Sequence, residues 1–305
     1  MLEYEARVEP FTGLFVQDML EPILAGEKQQ QQQQQNDHTK PSSFLDVGCG
    51  CGIASLLAAQ NGFQVVATDV SEGMIRRVRQ RVQEKGLEGS IECLVADGQN
   101  LSADLSSKAS HRNNDNKFDY AMAAFSIIFF PDPAQGVSEV YKLLSDKGGQ
   151  LCLSAWGNSQ ETPAFQIFPD AFAALQSSSQ KEEENPTSTS KDYTAASKLV
   201  ANRMTGSPAT LQSLLETAGF VDVKIVGSVT HHVQVASAEE YYNRFALTSP
   251  PTRAKLEALS KADRLAVKQK VMELAQERGG GGGNAKDGSI SIPASSYFAY
   301  GTKRI

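Results

Sequence analysis

The run Phe44-Leu45-Asp46-Val47-Gly48-Cys49-Gly50-Cys51-Gly52 constrains this chain more than any other feature. An apolar stretch leads into one acid and then into glycine at every second position, and a helix-like run from Ile53 to Ala59 follows at once. Glycines at this spacing let the backbone turn tightly and approach a ligand without a Cβ in the way. The helix that opens next presents its free N–H groups to the same space. Strand, loop and helix in this order hold a nucleotide-like ligand at the carboxyl end of a parallel strand.

The rhythm continues to residue 154. Strands are expected at 43–47, 64–68, 91–95, 118–124 and 150–155. The helices between them are expected at 53–61, 72–85 (N-capped by Ser71) and 134–144, closed by Gly62, Gly86 and Gly148-Gly149. Strands alternating with helices imply parallel pairing through right-handed crossovers. After Trp156 the pattern breaks. A helix at 162–175 carries Phe165, Phe168 and Phe172, and a Ser- and Glu-rich stretch at 177–190 is expected to be mobile. Ser207-Pro208 opens another helix, Gly219 ends it, and 221–229 reads as a sixth strand. The capping-box form Ser237-x-x-Glu240 then leads a helical stretch, interrupted at Pro250-Pro251 and extending to about residue 278. A glycine spacer at 279–283 precedes a last strand at 297–303.

The expected fold is α/β: a Rossmann-like, seven-stranded, mostly parallel sheet with an antiparallel last strand, helices on both faces and helical cover insertions. A single domain of 1–305 divides into a cover helix (1–26, helical from about Phe11) and a disordered Gln-rich loop (27–40), ahead of a cofactor-binding core (41–155). A lid insertion (156–206), more core (207–235), a helical insertion (236–284) and the last strand (285–305) complete it. A polar insertion at 102–117 interrupts the core.

Across 305 residues, 40% hydrophobic and 21% charged, there is enough apolar material for a sizeable core. The net charge of −6 and the lack of a basic stripe argue against nucleic acid as a partner. Arg76, Arg77, Arg79 and Arg81 share one helix and read as a solvated face. The acids Glu3, Glu5 and Glu9 near the N-terminus are wrong for a targeting peptide, and no apolar run approaches the ~20 residues of a membrane span. Cys49, Cys51, Cys93 and Cys152 suit neither a zinc site nor a disulfide framework. No metal and a reducing, cytoplasmic setting are therefore expected.

Three signals define the ligand. The glycine loop is the first. Asp69, ending the second strand about twenty residues later, is placed to accept hydrogen bonds from ribose hydroxyls. Asp97-Gly98, ending the third strand, can accept from an adenine amino group. The dinucleotide fingerprint would need glycine where Ile53 stands, and Asp46 would repel a pyrophosphate but suits a ligand with a positive group. In these residues the chain resembles the class I S-adenosylmethionine-dependent methyltransferases, and within them the small-molecule group called the type 11 family. The likeness is strong from Pro41 to about Trp156. It implies S-adenosyl-L-methionine as cofactor. Its methionine part would lie against Asp46, Gly48, Cys49, Gly50 and Gly52, its ribose on Asp69 and its adenine near Val70, Met74, Asp97 and Gly98. Ala124, Phe125 and Ser126 would then form the floor beneath the sulfonium. Cys49 and Cys51 stand where smaller or threonine-like residues are common in that family.

Methyl transfer from a sulfonium needs alignment and a dry site more than a base, so no catalytic residue is singled out. The segment Ala123-Ala124-Phe125-Ser126-Ile127-Ile128-Phe129-Phe130-Pro131 lacks the Asn/Asp-Pro-Pro-aromatic motif of base and amide N-methyltransferases. Its aromatic rim, with Trp156 and the phenylalanines of 162–175, points to a small, largely apolar acceptor methylated on oxygen or carbon. Tyr4, Phe11, Ser126 and Trp156 are candidates for the acceptor side. His231 and His232, adjacent on a strand, point to opposite faces and read as strand-edge residues rather than a metal pair. Two other readings stand beside this one: an NAD-dependent oxidoreductase and a non-catalytic S-adenosylmethionine-binding protein.

Overall fold

The computed structural model describes residues 2–33, 41–105, 117–179, 207–279 and 288–304. Its centre is a seven-stranded sheet built from β1 (Ser43–Val47), β2 (Gln64–Asp69), β3 (Ile91–Val95), β4 (Tyr120–Ala123), β5 (Gln150–Trp156), β6 (Phe220–Val235) and β7 (Ile290–Lys303). The spatial order is β3-β2-β1-β4-β5-β7-β6. The first five strands are parallel, and β7 runs antiparallel between β5 and β6. Every residue of β1 and β4 is buried, as expected of central parallel strands covered by helices on both faces.

Crossover helices α3 (Ile53–Gln60), α4 (Glu72–Lys85) and α6 (Pro133–Leu143) connect the parallel strands, with a short α5 (Leu101–Leu105) after β3. Their ends follow local chemistry. The Met74 N–H donates to Ser71 Oγ at 3.3 Å, and Gly86 closes α4 at φ 65°. The Gln135 N–H donates to Asp132 at 3.1 Å to open α6. After α8 (Pro208–Thr217), capped by Ser207, the chain enters β6.

The cover consists of α1 (Leu2–Arg7) and α2 (Glu9–Gln33) at the front and α7 (Pro163–Ser179), α9 (Ala238–Thr248), α10 (Pro250–Ala258) and α11 (Lys261–Gly279) behind it. α7, α9 and α11 pack on one another, joined by a hydrogen bond from the Tyr241 hydroxyl to the Ala164 carbonyl and by an Arg278–Asp170 ion pair at 2.5 Å.

Several expectations are corrected. The chain is helical from Leu2, not from about Phe11, with a break at Val8. The glutamines do not begin a loop at 27: α2 runs on through Gln33, because glutamine is a good helix former and simply extends the preceding amphipathic turns. The remainder of that run lies outside the described residues, as do most of the Ser/Glu-rich stretch, the glycine spacer after Gly279 and residues 106–116 of the polar insertion. β6 and β7 reach further than the expected 221–229 and 297–303, since Val229–Val235 pairs with Ile290–Ser296 in an antiparallel ribbon that mutual hydrogen bonding extends. The helical stretch after residue 250 is two helices, not one. The four arginines of α4 are not one solvated face. Arg77 and Arg81 are 14% and 11% exposed and clasp Glu5 and Glu9, and Arg79 donates to the Cys93 carbonyl.

Candidate active site

The chain runs β1 to β3 outward on one side, then returns to place β4 on the other side of β1. At such a switch point the loops leaving two adjacent strands diverge and open a crevice at their carboxyl ends. Here the crevice is a cavity of about 1780 Å³. Its sheet-side wall comes from the loops after β1 to β5, and α1, α2, α7, α9 and α10 close the rest.

The residues expected at a cofactor line this one cavity: Asp46, Gly48, Cys49, Gly50, Asp69, Val70, Met74, Asp97, Gly98, Ala124 and Phe125. So do Tyr4, Phe11, Ser126 and Trp156. Gly52 is the exception and does not belong to the wall. It caps α3 in the left-handed conformation at φ 90°, and a Cβ there would lie 2.9 Å from Val78 on α4. Packing between helix and loop, not ligand approach, requires glycine at that position.

The other glycines divide by the same test. Gly48 has φ 68°, and a Cβ on it would meet the Ser126 Cβ at 2.4 Å, so the loop is seated on the floor after β4. A Cβ on Gly98 would strike the Phe130 ring at 2.0 Å. Gly50 has φ 55°, yet a Cβ there would meet no atom of the described residues within 4 Å. Among the described residues nothing fills the space before Gly50, which is what a cradle for a ligand demands.

Two acids fix the loop. Asp69 Oδ2 accepts from the Gly50 N–H at 3.0 Å and Oδ1 from the Ser71 N–H at 2.8 Å, stitching β2 to the glycine loop. Desolvation raises its pKa above the usual carboxylate range. Asp46 is buried, and its Oδ2 accepts from both the N–H and the hydroxyl of Ser55, at 3.0 and 2.6 Å. Burial pushes its pKa up to about 7 against the opposing pull of those hydrogen bonds, with the negative charge of Asp69 adding to the rise. Asp97 takes the Gln99 N–H on Oδ1 at 2.9 Å.

The floor is aromatic. Phe125 adopts φ 53°, a conformation rare for a bulky residue, held by donation of its N–H to Ser154 Oγ at 2.9 Å. Ser126 Oγ donates to the Val47 carbonyl at 2.5 Å, tying the ends of β1 and β4 together. The Phe125 ring stacks on Trp156 at 3.9 Å, and Trp156 is further packed by Phe11, Phe15 and Phe165. Tyr4 is half-buried over the loop. Burial, with Cys51 and Glu9 nearby, pushes its hydroxyl up to about 12, so it stays protonated at neutral pH.

A residue read from the sequence as part of a solvated face holds the roof. Arg81 pairs with Glu9 at 2.7 Å and donates to the Cys51 carbonyl at 2.6 Å, so one guanidinium binds the start of α2 to the glycine loop. The signal for it was its place four residues beyond Arg77, on the edge of the apolar face of α4. Ser154, a lone hydroxyl in the apolar strand β5, was a second unused signal. His231 meets Asp18 of α2 at 2.6 Å, while His232 is exposed on the edge strand. The four cysteines are free and buried, and burial pushes the Cys51 and Cys93 thiols up to about 11, far from thiolate character. Among the described residues no cluster of three or more His, Cys, Asp or Glu is arranged to hold a metal ion, and no helix is long and apolar enough to cross a membrane.

Residues 44–148 match the family model described as "Methyltransferase domain". The glycine loop, Asp69, Asp97 and the floor after β4 all fall within this stretch. A demethylmenaquinone methyltransferase from Bacteroides fragilis is 32% identical over 131 residues, 42% of this chain and 49% of that protein. Nocamycin O-methyltransferase from Saccharothrix syringae is 28% identical over 184 residues, 59% of each chain. The chain spans about half the length of the first curated relatives it matches. Among solved structures, the YcgJ protein from Bacillus subtilis aligns at TM-score 0.48 and 16% identity, over 87% of this chain and 93% of that one.

Proposed function

We propose that this protein transfers a methyl group from S-adenosyl-L-methionine to the oxygen or carbon of a small, largely apolar metabolite. The observation that carries the reading is the convergence of Gly50, Asp69 and Asp97 on one cavity whose floor is the Phe125–Trp156 stack. The space before Gly50 and the acids of three consecutive strand ends fit a cationic, adenosine-bearing molecule. When bound, the cofactor supplies a methyl group already activated on a cationic sulfur.

The chain's own residues then have separable roles. Asp46 and the backbone from Gly48 to Gly50 receive the amino-acid end, with the Asp46 carboxylate opposite the ammonium. Asp69 has lone pairs beyond those used by Gly50 and Ser71 and receives the ribose hydroxyls. Asp97-Gly98 meets the adenine edge, between Val70 and Met74. Ala124, Phe125 and Ser126 set the floor, and the π-faces of Phe125 and Trp156 tolerate positive charge that would otherwise require water. Tyr4 and Phe11, clamped down by Arg81 and Glu9, exclude solvent and align the acceptor. Alignment in a dry site is the larger part of what such a displacement needs from protein. The names of two relatives, a demethylmenaquinone methyltransferase and nocamycin O-methyltransferase, support a small-molecule acceptor. The four unbridged thiols support a reducing, cytoplasmic setting.

Isothermal titration tests the reading. S-adenosylhomocysteine is expected to bind in the micromolar range and NAD not at all. Binding of NAD in place of the thioether would overturn it.

A further inference from the structure

The cavity is polarised. Its strand-end carboxylates Asp46, Asp69 and Asp97 lie at or just beyond the carboxyl ends of β1, β2 and β3, where the cofactor is placed, while Glu3 and Glu9 of the front cover also line it, paired with Arg7 and Arg81. Across it, the wall formed by α9 and α10 brings three cations, Arg244, Arg253 and Lys255. Phe165, Phe168, Phe172, Tyr241 and Phe245 also line the cavity, with Phe165 meeting Trp156 at 4.7 Å and Phe245 at 6.0 Å and Phe172 lying under Lys255.

The cations of the far wall are poorly matched by the protein itself. The Arg244 side chain is 15% exposed and meets Glu240 through one terminal nitrogen at 3.3 Å, while its Nε is buried with no hydrogen-bond partner among the described residues. A buried donor left without an acceptor is costly, and proteins keep one where a ligand or water completes it. Lys255 is half-buried, sits 5.4 Å from the centre of the Phe172 ring and forms no ion pair among the described residues. Burial lowers its pKa, as expected of an ammonium without a counter-charge. Arg253 differs, being exposed and set 3.8 Å from Glu257.

We infer that the methyl acceptor is an anion: an aromatic or otherwise apolar molecule bearing a carboxylate-type group, held by Arg244 and Lys255 with its apolar body against Phe165, Phe168 and Phe172. This rests on the methyltransferase reading and narrows its substrate class. A planar guanidinium presents paired N–H groups, the arrangement that takes a carboxylate in two parallel hydrogen bonds. The same polarity keeps the two ligands apart, since the acidic end repels the acceptor's charge and the basic end repels the sulfonium.

Calorimetric binding of 2-naphthoate and of its neutral methyl ester to the full chain, with and without S-adenosylhomocysteine, tests the inference. The acid is expected to bind at least about tenfold more tightly than the ester. Arg244→Gln and Lys255→Gln should each cut that preference severalfold, and the double variant should abolish it, with S-adenosylhomocysteine affinity unchanged as evidence of an intact fold. Equal binding of acid and ester by the wild-type chain, no measurable binding of the acid, or a preference that survives in the double variant would overturn it. Failure of S-adenosylhomocysteine to bind the wild type would instead strike the cofactor assignment, and the acid–ester comparison without it would still decide the charge of the acceptor.

Discussion

Gly48 and Gly50 stand two residues apart, both with positive φ, and have opposite reasons for being glycine. A methyl group at Gly48 collides with Ser126, whereas at Gly50 it enters the open cavity. Gly48→Ala should therefore destabilise the fold by about 2–4 kcal/mol, through overpacking added to left-handed strain. Gly50→Ala should cost only the strain, roughly 1–2 kcal/mol, yet remove most affinity for S-adenosylhomocysteine. Urea denaturation and titration calorimetry on the pair separate the two effects. Asp46 carries a pH signature. Its folded pKa, about 7, lies above its ordinary 3.8, so the folded chain retains a proton that the unfolded chain has released. Stability is full below about pH 4 and declines as pH rises toward 7, by up to about 4 kcal/mol from this group alone. A cation beside Asp46 favours the ionised form, so cofactor binding expels that proton and affinity should fall as pH drops below 7, approaching tenfold per unit. Asp46→Asn should flatten both profiles in urea and calorimetric measurements.

Among the elements, the front cover depends on charge more than its apolar seam suggests. Glu9 is 7% exposed at its side chain, and desolvation raises its pKa even though Arg81 opposes the rise. Arg81→Ala removes the cation facing Glu9 and the donor to Cys51, and should destabilise the chain by about 3 kcal/mol in urea, near the lower end for a broken buried pair because Glu9 can take up a proton. Affinity for S-adenosylhomocysteine should fall with it, since α1 would no longer be held over the loop. The elements also show what a sequence reading can reach. Ser71, Ser207 and Ser237 each cap the helix assigned to them, because a cap is a contact over three residues. Glu240 departs by one position from a capping box, accepting from the Ala236 N–H instead of Ser237. Arg81 was not legible as a clasp because Glu9 lies 72 residues away, and helical spacing alone gives no hint that a second helix covers that face.

Over the whole molecule, the legible half is the one where chemistry and local spacing coincide. An acid at the end of each of three parallel strands must face the same edge of the sheet, so Asp46, Asp69 and Asp97 could be placed together before any coordinates. The cover offers no such rule. Tyr241 reaches Ala164, Arg278 reaches Asp170 and Tyr297 reaches Glu161 over separations of 77, 108 and 136 residues, and no periodicity encodes those meetings. The unmatched cations of α9 and α10 were invisible for the same reason. The resulting shape is a sheet whose switch point forms an acidic cradle, roofed by helices that carry the aromatic and basic half of the site. A crystal structure of the full chain grown with S-adenosylhomocysteine tests that arrangement most directly. The account predicts ligand density with the amino-acid end before Gly50, the ribose on Asp69 and the thioether above Phe125. Density elsewhere, or a cleft that stays empty at saturating ligand, would contradict it.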